Sequence, residues 1–152
     1  HFPSVVRRHI LGPLPAITKK IKMNFKGDIK TILESKSVEE LRSTVWEKYG
    51  DFLFGSEINS ANELNIFQIG FLNLLSDKYI RTIVPLIINH VKTEFDEWYE
   101  EPNSYGKIVI NSIDIQSVES GEWQIMFEDD NMDLIVHLYM KEWEFDYTAR
   151  TG

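Results

Sequence analysis

The sequence predicts an α+β domain in which N-terminal helices pack on one face of a C-terminal four-stranded antiparallel meander. Two patterns predict it. Apolar residues recur every three or four positions from Asp28 to about Glu101. From Gly106 to Thr148 they alternate with polar residues in four short runs, KIVINSIDIQ, EWQIMFED, LIVHLYM and WEFDYTA. Loop lengths supply the third observation, because they let the runs share a single apolar face.

A chain of 152 residues is one domain by length, and 43% hydrophobic with 26% charged residues suits an ordinary soluble core. The absence of cysteine excludes disulfides and thiolate chemistry and favours an intracellular location. The runs NIFQIGFLNLL and YIRTIVPLIINHV are too short or too interrupted to span a bilayer and read as core helices, so no membrane partner is expected.

Residues 1–22 differ from the rest. They hold Arg7, Arg8, Lys19, Lys20 and Lys22 with no acid, and the first methionine is Met23. A leader foreign to the fold, a processed tail and a basic targeting segment all fit, and the first is preferred; the domain proper is then 23–152. The net charge of −8, less the leader's +5, leaves −13 on that domain. Such a body repels nucleic acid and anionic membranes and favours basic partners, although acidity also serves solubility.

Asp28 is positioned to cap a helix IKTILES. Ser37-Val-Glu-Glu40 has capping-box spacing, and Leu41, Val45, Tyr49 and Phe52 follow at near-helical intervals with Gly50 as a stop. DFLFGSEINSA reads as a loop. A second box, Ser60 to Glu63, opens the apolar helix ELNIFQIGFLNLLS, expected to be the most buried. After Ser76-Asp77, Ile80, Val84, Ile87, Val91, Phe95 and Trp98 form one stripe, and Pro85 within it predicts a kink or break.

In the meander, Ile113 and Ile115 share a face with Trp123, Ile125 and Phe127 if Glu119-Ser120-Gly121 is a three-residue loop with Gly121 left-handed. An even loop near Asp129–Met132 aligns these with Leu134, Val136, Leu138 and Met140. A turn at Lys141-Glu142 then continues the face through Trp143, Phe145 and Tyr147. Ile108 and Ile110 fall out of phase, which predicts a bulge near Asn111-Ser112. Gln124, Met126, Glu128, Ile135, His137, Tyr139, Glu144, Asp146 and Thr148 occupy the opposite face.

Catalytic signatures are lacking. There is no phosphate loop and no nucleophile elbow. The run Asp129-Asp130-Asn131-Met132-Asp133 begins like a calcium loop, but Leu134 and Met140 stand where an EF-hand needs glycine and glutamate, so it reads as a hairpin tip. His90, Glu94 and Glu97 read as a solvated helix face rather than a metal site, and neither metal nor cofactor is expected. His137 has the chemistry of an acid or base without an evident nucleophile. Aromatics lie among acids instead of bases, which disfavours nucleic acid. The candidate contact residues are therefore Trp98, Tyr99, Glu100 and Glu101 at a helix end, with Glu128, Asp129, Asp130, His137, Tyr139, Glu144 and Asp146 on the meander: carboxylates beside aromatics, suited to Arg and Lys of a partner.

The runs GEWQIMFEDD and LIVHLYMKEWEFDYTARTG resemble the terminal strands of small bacterial immunity proteins of polymorphic-toxin and contact-dependent inhibition systems. The resemblance covers about 45 residues. It implies a small cytoplasmic non-enzyme that binds and blocks a basic toxin domain, often a nuclease. Its contact residues vary too widely to be transferred. A structural or adaptor domain, and a small hydrolase using His137, are the alternatives.

Overall fold

The structure, a computed structural model, describes residues 5–7, 24–53, 56–76, 80–101 and 104–152. Among the described residues four α-helices precede a meander: α1 (Phe25–Ser35), α2 (Val38–Tyr49), α3 (Ile66–Leu74) and α4 (Ile80–Tyr99). The strands are β1 (Val5–Arg7), β2 (Val109–Asp114), β3 (Glu122–Glu128), β4 (Ile135–Lys141) and β5 (Glu144–Thr151). They form one antiparallel sheet in the order β1-β5-β4-β3-β2. The α+β class is as expected, with one strand more than the four foreseen. Val5–Arg7, within the expected leader, pairs with Thr148–Arg150 of β5. Residues 1–4 and 8–22 of that stretch lie outside the described residues. Among the described residues no helix is long and apolar enough to cross a membrane.

Capping chemistry explains where the helices begin. Asn24, not Asp28, caps α1, its Oδ1 accepting from the Gly27 amide at 3.1 Å; this starts the helix four residues early and lets Phe25 enter the core. Ser37 caps α2 as expected, accepting from the Glu40 amide. The box at Ser60–Glu63 forms but opens only a single 3-10 turn, Ala61–Glu63. A further box, Asn65 with Gln68, opens α3. Gly50 does not end α2 in a left-handed conformation, because its φ of −51° carries the chain into a 3-10 turn. α4 runs through Pro85 without a break, although the proline has no amide hydrogen to donate to the carbonyl four residues back.

The core lies between the helices and the inner sheet face. Ile113, Ile115, Trp123, Ile125, Phe127, Leu134, Val136, Leu138, Met140 and Trp143 are all buried, as the shared-face reading requires. At one end Phe25 meets Trp143 edge-on at 5.0 Å, Phe71 stacks on Trp143 at 5.4 Å, and Phe71 meets Trp123 at 4.9 Å. Trp123 Nε1 donates to Glu142 O, so the indole's polar edge is satisfied at the β4–β5 turn. α3 is the most buried helix, and Gly70 lets α1 approach it: a Cβ there would lie 2.6 Å from Ile29 Cγ2 and 3.3 Å from the Ile29 carbonyl oxygen.

Register holds through β4 and then changes. Gly121 adopts φ +90° as expected, and Asn111 is the extra residue of a bulge, with Ile110 opposite Phe127 and Ser112 opposite Met126. The β4–β5 turn is Glu142–Trp143, one residue later than expected, with Lys141 opposite Glu144 and Met140 opposite Phe145. A second, unforeseen bulge follows: Tyr139 pairs with Tyr147, leaving Asp146 as the extra residue. Beyond it the faces are exchanged. Tyr147 turns outward, while Thr148 and Arg150, opposite Leu138 and Val136, turn inward and are buried. The expected inward Tyr147 and outward Thr148 are thus both corrected.

Gly70→Ala is predicted to lower stability by about 1 kcal/mol net, because overpacking a rigid contact costs about 1–3 kcal/mol and the gain in helix propensity returns about 1. Urea denaturation would measure it; an unchanged or raised midpoint would contradict the close helix contact.

Candidate functional site

The outward face of the sheet gathers Glu128, His137, Tyr139, Glu144 and Asp146, as the sequence placed them. To these the structure adds Asp114, Glu122 and Tyr147, none of which had been singled out. Strict alternation on β2 and β3 was a usable signal for Asp114 and Glu122, but the bulge hid Tyr147.

A directed row of hydrogen bonds crosses four strands here. His137 Nδ1 lies 3.1 Å from Gln124 Oε1, and Nε2 lies 3.1 Å from Thr151 Oγ1. Gln124 Nε2 donates to Asp114 Oδ2 at 3.2 Å. A carboxylate only accepts, so the amide nitrogen faces Asp114 and the amide oxygen faces His137. Nδ1 therefore carries the proton, and Nε2 is left to accept from the Thr151 hydroxyl. Burial lowers the His137 pKa below 6.5, which favours this neutral tautomer.

Asp114 is fixed from its other side as well. Its Oδ1 accepts from the Gln116 amide at 3.1 Å and lies 3.4 Å from Ser56 Oγ. Ser56 is itself buried, donating to Ile113 O and accepting from the Ile115 amide. Next to this row Tyr139 and Tyr147 stack, with centroids 4.4 Å apart and planes 12° apart. Burial, then Tyr147 and Asp114, raise the Tyr139 hydroxyl pKa. A half-open recess of ≈ 200 Å3 lies against the pair, lined also by Asp114, Glu122, Gln124 and Asp146. That is below the roughly 300–1,000 Å3 of small-molecule pockets. His137 and Thr151 do not line it. The hydroxyl–imidazole pair has the polarity of a nucleophile and its base, but it stands outside the recess.

The remaining candidates are placed elsewhere. Tyr99 donates its hydroxyl to Asp129 Oδ2, and Asp129 is only 2% exposed, so this carboxylate braces the fold instead of facing outward. Burial and this bond push the Tyr99 pKa up to about 12. Asp130 accepts from the Lys107 amide at 2.9 Å and lies against Gly106, whose φ of +75° and lack of a Cβ make the approach possible. The acidic tip thus pins the start of the meander. Trp98 is half-buried against Gly152, and Glu100 and Glu101 are exposed at the end of α4.

The helix face at His90, Glu94 and Glu97 also differs from expectation. Glu94 falls on the buried stripe with Ile83, Ile87 and Val91 and is 0% exposed. Arg150, 9% exposed, donates to the Glu94 carbonyl at 3.3 Å and lies 3.7 Å from the Glu97 carboxylate. His90 stacks on Phe145, with centroids 4.1 Å apart. Among the described residues no cluster of metal-ligating side chains occurs.

Family models, curated proteins and solved structures give no significant match to the chain.

His137 yields a pH prediction. With its folded-state pKa below 6.5, the unfolded chain takes up the proton first as pH falls. The stability is therefore intact above pH 6.5 and drains as pH drops through the folded-state value. Melting temperatures taken on either side of pH 6.5 should fall more in the native protein than in His137→Gln, which keeps a neutral hydrogen-bonding group; equal falls would contradict the assignment.

Proposed function

We propose that this chain is a non-enzymatic protein-binding domain whose outward sheet face docks a basic partner, and that it is an immunity protein neutralising a basic toxin domain such as a nuclease. The charge of that face carries the reading. Among the described residues Asp114, Glu122, Glu128, Glu144 and Asp146 surround one lysine, Lys141, about a pair of stacked tyrosines. The inner face is occupied by the helices, so the outer one is the face on which a partner would dock.

An acidic face of this kind steers a basic protein toward it and raises association rates by about 10- to 1,000-fold at low salt. Aromatic side chains within it then supply the desolvated anchors that slow release. Its polar rim suits reversible masking of a charged surface. The assignment to immunity proteins rests on the resemblance of the last strands to that group, and a cytoplasmic location goes with it.

Co-expression with the product of a neighbouring reading frame should yield a complex that weakens with added salt. The triple variant Glu122→Lys/Glu128→Lys/Glu144→Lys should slow association with that product at least about tenfold at low salt. A variant that associates as fast as the native chain would mean that the acidity serves solubility alone.

A further inference from the structure

An edge strand presents a row of backbone N–H and C=O groups to which another chain can add. β2 is one edge of this sheet, the last strand in the order β1-β5-β4-β3-β2, and two features of the chain act on that edge. Its first half is broken by the Asn111 bulge, which twists the backbone out of the geometry that a further strand needs. Along its second half Ser112, Ile113 and Asp114 pair with β3 in regular register, and there the outward backbone groups meet Ser56. The Ser56 hydroxyl donates to Ile113 O and accepts from the Ile115 amide, each at 2.9 Å. We propose that Ser56 is an edge lock: its hydroxyl stands in for a neighbouring strand and keeps β2 from pairing with the β2 of a second copy of this chain.

The geometry of those two bonds carries the inference. In a parallel ladder, one residue of the neighbouring strand bridges a carbonyl and the amide two residues further on, through its own N–H and C=O. Ile113 O and Ile115 N–H stand in that relation about Asp114, and the Ser56 hydroxyl, donor and acceptor at once, bridges them. Both groups are therefore engaged before another strand can reach them. Ser56 is 2% exposed and held in place through its backbone, the amide donating to Leu53 O and the carbonyl accepting from Gln116 Nε2, each at 2.9 Å. Gln68 of α3 donates to Ile115 O at 3.4 Å, which fixes the same stretch from the helix side. A second copy is the occupant this edge fits, because identical antiparallel edges are self-complementary about a two-fold axis. The one carboxylate of β2, Asp114, accepts from the Gln116 amide and from Gln124, which tempers its charge at the edge.

The lock is independent of what the outward face binds, and its test needs no partner. Sedimentation and amide hydrogen exchange would be followed against concentration for the full chain and for Ser56→Ala, in added salt that screens the acidic bodies from one another. The native chain should not pair through β2 at any concentration. Dilute Ser56→Ala should exchange the Ile115 amide at least about fivefold faster, as the loss of one hydrogen bond implies. On concentration it should become dimeric, with the Ile113 and Ile115 amides protected again. Gln116→Ala, at an exposed position, loosens Ser56 without removing its hydroxyl and should quicken Ile115 exchange by a smaller factor. Ser56→Ala that stays monomeric, or a native chain that pairs through β2, would overturn the proposal. Where Ser56→Ala does not fold, unchanged Ile115 exchange in Gln116→Ala overturns it alone.

Discussion

One residue inserted into the last strand decides what this sheet shows to its two sides. Asp146 has no counterpart on β4, so Phe145 faces inward opposite Met140 while Tyr147 faces outward opposite Tyr139. Without the bulge, Tyr147 would follow Phe145 into the helix layer and the tyrosine stack could not form. The bulge also carries its own side chain to the recess. A local backbone irregularity thereby assembles the aromatic and acidic parts of one surface.

The same phase change has an interior consequence. Thr148 and Arg150 enter the helix-facing side, where α4 must accommodate a buried cation. It does so with the Glu94 carbonyl and the Glu97 carboxylate. Removing a buried charge's partners is costly, so α4 and β5 are matched to one another through polar chemistry as well as through Phe95 and Val91. At the C-terminal end of α4, Tyr99 and the buried Asp129 tie the helix to the β3–β4 tip, and Asp130 ties that tip to Gly106 and Lys107. Two groups of acidic residues on the meander thus have different roles. Asp129 and Asp130 hold elements together, while Asp114, Glu122, Glu128, Glu144 and Asp146 share the outward face.

Much of this was legible in the residues. The period-2 runs, the left-handed Gly121 and the phase break at Ile110 fixed three strands and their inner face, because each clue is local. The Asp146 bulge was not, since Phe145 and Tyr147 sit two apart and alternation alone puts them on one side. Thr148 read as solvent-facing for the same reason, and Glu94 read as solvated although it shares the buried stripe of Ile87 and Val91. Helix starts were ambiguous where two cap-forming residues stood close together, as with Asn24 against Asp28 and Asn65 against Ser60. Ser56 gave no sequence signal; its role exists only once β2 lies beside it.

The proposed function needs a sheet with one filled face and one presented face, and the β5 register is what gives the presented face its chemistry. Cross-strand nuclear Overhauser contacts in solution test that register most directly. The account predicts contacts between the Tyr139 and Tyr147 rings together with close approach of Leu138 and Thr148. Contacts pairing Leu138 with Tyr147 and Tyr139 with Asp146 would show an unbroken strand and contradict it.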